Sequence, residues 1–387
     1  MILGAGYAGV RLAHQVWKRS KGSIPTMLVD RHPFHVIRTE LYEVARLAAR
    51  GSDLRRWTVP IDRVVGPDRV VYREGSVGSI DIEGSTVRVD EQRISYRSLA
   101  ICLGNVPAYY GVAGADEFMH QVYGLLGAMR LADELKAVET ASPVLPRGIR
   151  PRVVVVGGGS TGTEVAADIA TADWQAITGV KARPPQVTLV CGALPFLDGL
   201  DTDIVVHARR LLEEAGVLVD VGRNVRRVQR RRATLSNGSS IPFDVGVWAA
   251  GVEAPSVVKS LPVEHGRAGR IVAGPTLEIP SHPGVFALGD IAQVRDPTDG
   301  SIVPATAQAA LAEASAAAEN ILRRWTGREL LPFRYRDRGA IVAVGHRKAA
   351  ARWNRVAVWG SPAAFLKSIL ERRYRLSSEL GRESTGY

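Results

Sequence analysis

Residues 153–170 read VVVVGGGSTGTEVAADIA. Four valines, Val153 to Val156, predict a buried strand, and a helix-forming run closes the stretch. Between them Gly157, Gly159 and Gly162 stand in the spacing G-x-G-x-x-G. In a strand–turn–helix each of these glycines has a task. The first permits the tight turn, the second lets the backbone approach a pyrophosphate, and the third lets helix and strand pack closely. The free N–H groups and positive dipole at the helix start favour an anion there. The same signature opens the chain, MILGAGYAGV at residues 1–10, with Gly4, Gly6 and Gly9. Its helix is expected from about Ala8 to Ser20, on the periodicity of Val10, Ala13, Val16 and Trp17. Two copies of one supersecondary unit, about 150 residues apart, are an internal repeat of architecture. They predict an α/β chain with two Rossmann-like dinucleotide-binding domains and a short C-terminal region. Only Ile2 and Leu3 lead into the first loop as apolar strand, so a reading frame that begins some residues upstream is expected.

An acidic residue at the end of the following strand accepts hydrogen bonds from the ribose 2′-OH. Asp30, which ends PTMLVD, fits that place for the first loop. The second loop has no such residue: QVTLVCG puts Cys191 and Gly192 there. A carboxylate would favour NAD over NADP, so its absence leaves NADH or NADPH open, with Arg183, Arg209 or Arg210 as sources of positive charge.

Along the rest of the chain, YREGSVGSIDIEGSTVRVDEQRISY alternates apolar and polar residues between Gly turns, which predicts an antiparallel meander. LAICLG is a short buried strand ending at Gly104. ETASPVLPRGIRPR is a Pro-rich connector ahead of the second unit, which closes at DVGVWAAGV and Gly251. The Ala-rich PATAQAALAEASAAAENILRRW is strongly helical by propensity, GAIVAVG is strand-like, and the tail SSELGRESTGY is expected to be disordered.

The chain has 387 residues, 46% hydrophobic and 23% charged, enough for two or three cored domains. Its two cysteines, Cys102 and Cys191, lack any C-x-x-C spacing, which argues against a disulfide framework, thiol redox chemistry and a thiolate metal site. They fit a reducing, cytoplasmic setting. The net charge of +11 comes mostly from scattered arginines, and no nucleic-acid-binding module accompanies it. No signal peptide or membrane-spanning run is read.

Taken in order, ILGAGYAG, VDRHPFHVIRTELYEVA, LAICLGNVPAYYGVAGADEF, the second glycine loop, LLEEAGVLVDVG, VWAAGV, VFALGDIA, PATAQAAL and PFRYRDRGAIVAVGHRKA resemble the type II NADH dehydrogenases (NADH:quinone oxidoreductases), flavoproteins of glutathione-reductase-like fold. The resemblance runs from Ile2 to about Ala350. It implies an FAD-binding domain made of residues 1–113 and 268–330, an NAD(P)H-binding domain of residues 114–267, and a C-terminal region, 331–387. It implies that Gly4, Gly6, Tyr7, Ala8, Gly9, Asp30 and Arg31 hold the ADP half of FAD, and that Val77 meets the adenine through its backbone. Gly104 would pass the flavin phosphates, Gly289 and Asp290 the ribityl chain, and Ala307 and Gln308 the flavin ring at the quinone pocket. Gly157, Gly159 and Gly162 would cradle the NAD(P)H pyrophosphate, Glu164 would orient the nicotinamide, and Gly251 would let it approach the flavin. Glu164 and Gln308 are thus the candidate catalytic residues, with no metal. The expected reaction passes a hydride from NADH or NADPH to FAD and two electrons to a quinone, without proton pumping, in a respiratory chain.

Two departures bear on the acceptor. The family pattern A-Q-x-A-x-Q is met at Ala307, Gln308 and Ala310, but Ala312 replaces its second Gln, and Glu313 follows. A soluble carrier such as a ferredoxin or rubredoxin, or a redox-sensing role, is the alternative. The family's C-terminal membrane helices are shortened here to residues 363–376, where Phe365, Leu366, Ile369, Leu370 and Leu376 share a face. That segment either lies on the inner face of the cell membrane or covers the protein body. A homodimer is left open, and sulfide:quinone or disulfide reductase chemistry is disfavoured by the lone cysteines.

Overall fold

The computed structural model describes residues 1–51, 53–66, 68–146, 149–192, 196–354 and 356–379. Two five-stranded parallel sheets organise it. In the first, the strands run in the spatial order Val285–Ala287, Leu99–Ile101, Ile2–Leu3, Met27–Asp30 and Val71–Glu74. In the second the order is His120–Gln121, Val245–Trp248, Arg152–Val156, Gln186–Cys191 and Leu218–Val221. Each sheet centres on the strand that feeds a glycine loop, and the strand order reverses beside it. That reversal opens a crevice at the carboxyl ends of the strands, where ligands of open α/β sheets bind.

The central strands read as apolar runs because both faces are covered: helices pack on one, while antiparallel strands, Val225–Gln229 and Arg232–Leu235 in the second unit, pack on the other. Leu28, Val29, Leu99, Ile101 and Val153 to Val155 are all buried. Helix Tyr7–Ser20 follows the first loop and helix Ser160–Thr171 the second. The Ala-rich segment forms helix Ala307–Trp325, which lies against Tyr7–Ser20 through the buried Ala310, Ala314, Ala317 and Ala318. The expected meander is present as Val77–Asp81, Thr86–Val89 and Gln92–Ser95.

The C-terminal region holds more structure than its sequence predicts. Gly339–Ala343, Ala349–Trp353 and Val356–Gly360 form an antiparallel sheet, whose middle strand opens on the alanine run Ala349 to Ala351, of weak β-propensity. Helix Ser361–Glu379 follows. It takes in the expected 363–376 and extends into Ser377 to Glu379, which the sequence reading assigned to the disordered tail. Residues 380–387 of that tail lie outside the described residues.

The helix is inverted relative to an ordinary surface helix. Its charged and polar residues Lys367, Glu371, Tyr374 and Ser378 face the body, while Phe365, Ile369 and Leu376 are exposed. Leu366 and Leu370 are half-buried, and Arg372 lies on the exposed side with Phe365.

Candidate functional site

The glycine loops owe their shape to three different steric demands. Gly4 has φ +98°, and a Cβ there would stand 2.3 Å from the carbonyl oxygen of Cys102. A Cβ on Gly9 would stand 1.8 Å from the carbonyl oxygen of Gly4, whereas one on Gly6 would meet nothing within 4 Å. The second loop repeats this. Gly157 has φ +123° and lies against Ala249, a Cβ on Gly162 would stand 1.9 Å from the Gly157 oxygen, and Gly159 faces open space. In both loops the outer glycines are needed by the protein's own packing, and the middle one borders a space at a helix N-terminus, which fits a pyrophosphate.

Around the first loop, Ala5 N–H donates to Asp30 Oδ2 at 2.7 Å, so the strand-end carboxylate also holds the turn. Arg31 is exposed, and Val77 is half-buried at the start of the meander. Tyr7 contributes its hydroxyl to a 2.8 Å hydrogen bond with Thr39. Deeper in the crevice, a Cβ on Gly289 would lie 3.5 Å from Ala8 and 3.7 Å from Ala310, so Gly289 brings the loop helix and the Ala-rich helix together. Asp290 Oδ2 accepts from Asn105 Nδ2 at 2.7 Å, beside Gly104, and Arg38 stands 3.9 Å away. Burial raises the Asp290 carboxyl above its ordinary range, against the pull of Arg38 and Arg270. Ala307 begins the Ala-rich helix, whose N-terminus is capped by the Thr306 side chain accepting from Ala309 N–H at 3.2 Å. Gln308 is half-buried and donates from Nε2 to the Tyr335 hydroxyl at 2.6 Å. Thus Gly4, Ala8, Gly104, Gly289, Asp290 and Ala307 converge on one crevice, while Asp30, Arg31 and Val77 mark its outer end.

Two partners in this crevice escaped the sequence reading. Asn105, beside the expected Gly104, orients Asp290. Glu313, noted only as the neighbour of Ala312, turns inward and accepts from Gly289 N–H at 2.6 Å. It is buried, and burial pushes its carboxyl up to about 8. A carboxylate within an otherwise buried alanine face was the available signal.

On the second side, Gly251 follows the strand Val245–Trp248, and the hydroxyl of the exposed Tyr110 occupies the place a Cβ there would take. Glu164 sits one turn into its helix and is buried. Its Oε1 accepts from Ala343 N–H at 3.0 Å and from Lys367 Nζ at 3.2 Å. Lys367 also reaches Glu371 at 3.2 Å and stands 4.8 Å from the Tyr42 ring centroid. Burial opposes its charge, but Glu164, Tyr42 and Glu371 together hold the ammonium well above its ordinary pKa. The candidate nicotinamide residue is therefore anchored by the C-terminal region. The arginines considered for the nucleotide ribose are engaged elsewhere: Arg209 and Arg210 pair along their helix with Glu213 and Glu214, and Arg183 donates to the Pro146 and Ile149 carbonyls.

The two crevices meet at a seam. Val106–Pro107, just after Gly104, pairs antiparallel with Val252–Glu253, just after Gly251. Two Rossmann-type crevices opening on a shared seam define an oxidoreductase with two dinucleotide-binding domains. The chain belongs to the pyridine nucleotide-disulphide oxidoreductase family, whose profile matches residues 1–314. A type II NADH:quinone oxidoreductase of Staphylococcus saprophyticus is 25% identical over 382 residues, covering 96% of this chain and 94% of its own. That of Staphylococcus aureus is 24% identical with the same coverage. Among solved structures, NDH2 from Plasmodium falciparum in complex with NADH matches with a TM-score of 0.82 at 14% identity, over 99% of this chain and 98% of the other. The sulfide:quinone oxidoreductase of Aquifex aeolicus matches with a TM-score of 0.78 at 17% identity, over 98% and 91%. These structural likenesses speak for the fold. Cys102 and Cys191 are both buried and form no disulphide with one another.

Proposed function

We propose that this chain is an FAD-dependent NAD(P)H:quinone oxidoreductase. The observation that carries the reading is the seam at Val106–Pro107 and Val252–Glu253, which sets the crevice of the first glycine loop against that of the second. Residues 1–113 with 268–330 are assigned to FAD and residues 114–267 to NAD(P)H. The similarity to proteins named type II NADH:quinone oxidoreductases supports a quinone as acceptor.

When bound, the flavin supplies a two-electron carrier between nicotinamide and quinone. The chain itself binds and orients. Gly6 and Gly159 leave room where the two pyrophosphates would sit, and Asp30 and Asp290 would hold the polar chain of FAD. Glu164, fixed by Ala343 and Lys367, orients the nicotinamide. Gln308, fixed by Tyr335, borders the acceptor side. Holding two rings in contact replaces most of the entropy cost of their encounter. Anaerobic mixing tests this reading. NADH or NADPH should bleach the flavin absorbance of FAD-loaded protein, and a short-chain quinone should restore it; failure of either step sinks the proposal.

We further propose that the protein works at the inner surface of the cell membrane. No helix among the described residues is long and apolar enough to cross a bilayer. The support is the outward stripe of Phe365, Ile369 and Leu376 with Arg372 on the C-terminal helix. Apolar and aromatic side chains flanked by arginine suit an anionic lipid interface. Sedimentation with anionic vesicles is expected to carry the protein down; a dimer on gel filtration without vesicle binding would assign the same stripe to a second copy instead.

A further inference from the structure

The two nucleotide loops can be aligned within the chain by their own backbone hydrogen bonds. Gly4 N–H donates to the Val29 carbonyl at 2.7 Å, and Gly157 N–H to the Val190 carbonyl at 2.8 Å. One residue on, Gly75 N–H donates to the Asp30 carbonyl at 2.9 Å, and Gly222 N–H to the Cys191 carbonyl at 2.8 Å. Cys191 therefore occupies in the second unit the place of Asp30 in the first, and Gly192 the place of Arg31. Asp30 turns its carboxylate to Ala5 N–H. Cys191 instead packs its sulfur against Gly158, where a Cβ would stand 2.1 Å from Sγ. No side chain at 192 restores the missing acid. The space it would enter is filled by the Asn224 amide, whose Oδ1 lies 1.8 Å from an ideal Cβ there.

The charges around this strand end are also unlike those of an NADH-only site. Asp220, which faces Val190 in the strand register, is bound by Arg223 at 2.7 Å. Arg226, two residues beyond Asn224, is exposed and has no carboxylate partner among the described residues. A strand-end carboxylate repels a 2′-phosphate while accepting from a 2′-OH. Here a neutral amide with N–H donors takes its place, with the guanidinium groups of Arg223 and Arg226 close in sequence.

We infer that the second site admits the 2′-phosphate, so that NADPH serves as electron donor alongside NADH, with Asn224 as the specificity-determining side chain. This rests on the reading of the second loop as the pyridine-nucleotide site. The test is anaerobic single-turnover reduction of the FAD-loaded protein by NADH and by NADPH, with nucleotide Kd measured separately by titration of the oxidised protein. NADPH is expected to reach at least one-tenth of the NADH value in reduction rate divided by Kd. In Asn224→Asp, which adds the carboxylate without changing side-chain size, that NADPH-to-NADH ratio is expected to fall at least fivefold. An NADH preference beyond tenfold in the unsubstituted protein overturns the inference, and an unchanged ratio in N224D overturns the part given to Asn224. Reduction by neither nucleotide overturns the reading of the site itself.

Discussion

The hydroxyl of Tyr374 donates to Nε2 of His35 at 3.0 Å, and both side chains are buried. The direction follows from the other face of the ring. His35 Nδ1 lies 2.8 Å from the Ala5 carbonyl, which can only accept, so Nδ1 carries the proton and Nε2 the lone pair. Burial lowers the His35 pKa and keeps the ring neutral. The C-terminal helix is thereby joined, through one imidazole, to the middle of the first glycine loop.

Tyr374→Phe tests this link. The ring would keep its place 4.9 Å from Tyr7, but Nε2 of His35 would lose its donor in a dry site. Leaving a buried acceptor unpaired costs about 1–3 kcal/mol. We expect a lower Tm and faster FAD release, followed by the recovery of flavin fluorescence. Unchanged FAD release would show that the helix does not support the loop.

The glycines of the second loop should separate into two classes. Gly162→Ala forces a Cβ against the Gly157 carbonyl, and overpacking of this kind costs about 1–3 kcal/mol or more. Gly159→Ala meets nothing in the protein and should leave Tm almost unchanged while weakening NAD(P)H binding at least tenfold. Calorimetric melting and nucleotide titration of the two variants check the contrast; equal losses of Tm would contradict it.

Lys367→Met strips the buried Glu164 of its charged partner. Breaking a buried ion pair costs about 3–5 kcal/mol, because the remaining charge is left uncompensated. The double variant Glu164→Gln/Lys367→Met should be more stable than the single Lys367→Met, and urea unfolding of all four proteins gives the coupling energy. Strict additivity would mean that the pair contributes nothing.

Two buried carboxyls set a pH dependence. Burial pushes both Glu139 and Glu313 from 4.5 to about 8, and neither oxygen of Glu139 has a hydrogen-bond partner. The folded protein holds protons that the unfolded chain has released, so their contribution to stability is full below 4.5 and falls as pH rises through about 8. Tm should therefore drop as pH rises from 4.5 to about 8 and level off above it, and Glu139→Met should flatten that drop by several degrees, as read by thermal scans across pH. A parallel shift at every pH would refute the assignment.

Phe365→Glu/Ile369→Glu places charge on the exposed stripe of the C-terminal helix. Burial of such side chains in a lipid interface is favourable by roughly 1.5–3 kcal/mol each, so vesicle binding should weaken at least tenfold. Because both residues point away from the body, Tm and flavin reduction by NADH should stay as they are. Undiminished sedimentation with vesicles would move the lipid contact elsewhere.

Much of this molecule is written locally. A strand, three spaced glycines and a helix within some twenty residues predict a Rossmann crevice, because the turn, the close approach and the helix N-terminus all arise from adjacent backbone. The two loops and Asp30 were legible for that reason, and so was the absence of a strand-end acid after the second loop; Gly104 and the Gly289–Asp290 turn were expected only through the family resemblance. Only the tertiary structure decided what surrounds them. Glu164 meets Lys367 across 203 residues, His35 meets Tyr374 across 339, and Glu313 reaches Gly289 across 24. It also seated Asn224, from the connection between the strands Leu218–Val221 and Val225–Gln229, over Gly192. The amphipathic C-terminal helix carried a readable periodicity, but which face turns inward was settled by buried carboxylates and an imidazole on other elements, which pair with its polar side and leave its apolar side outward.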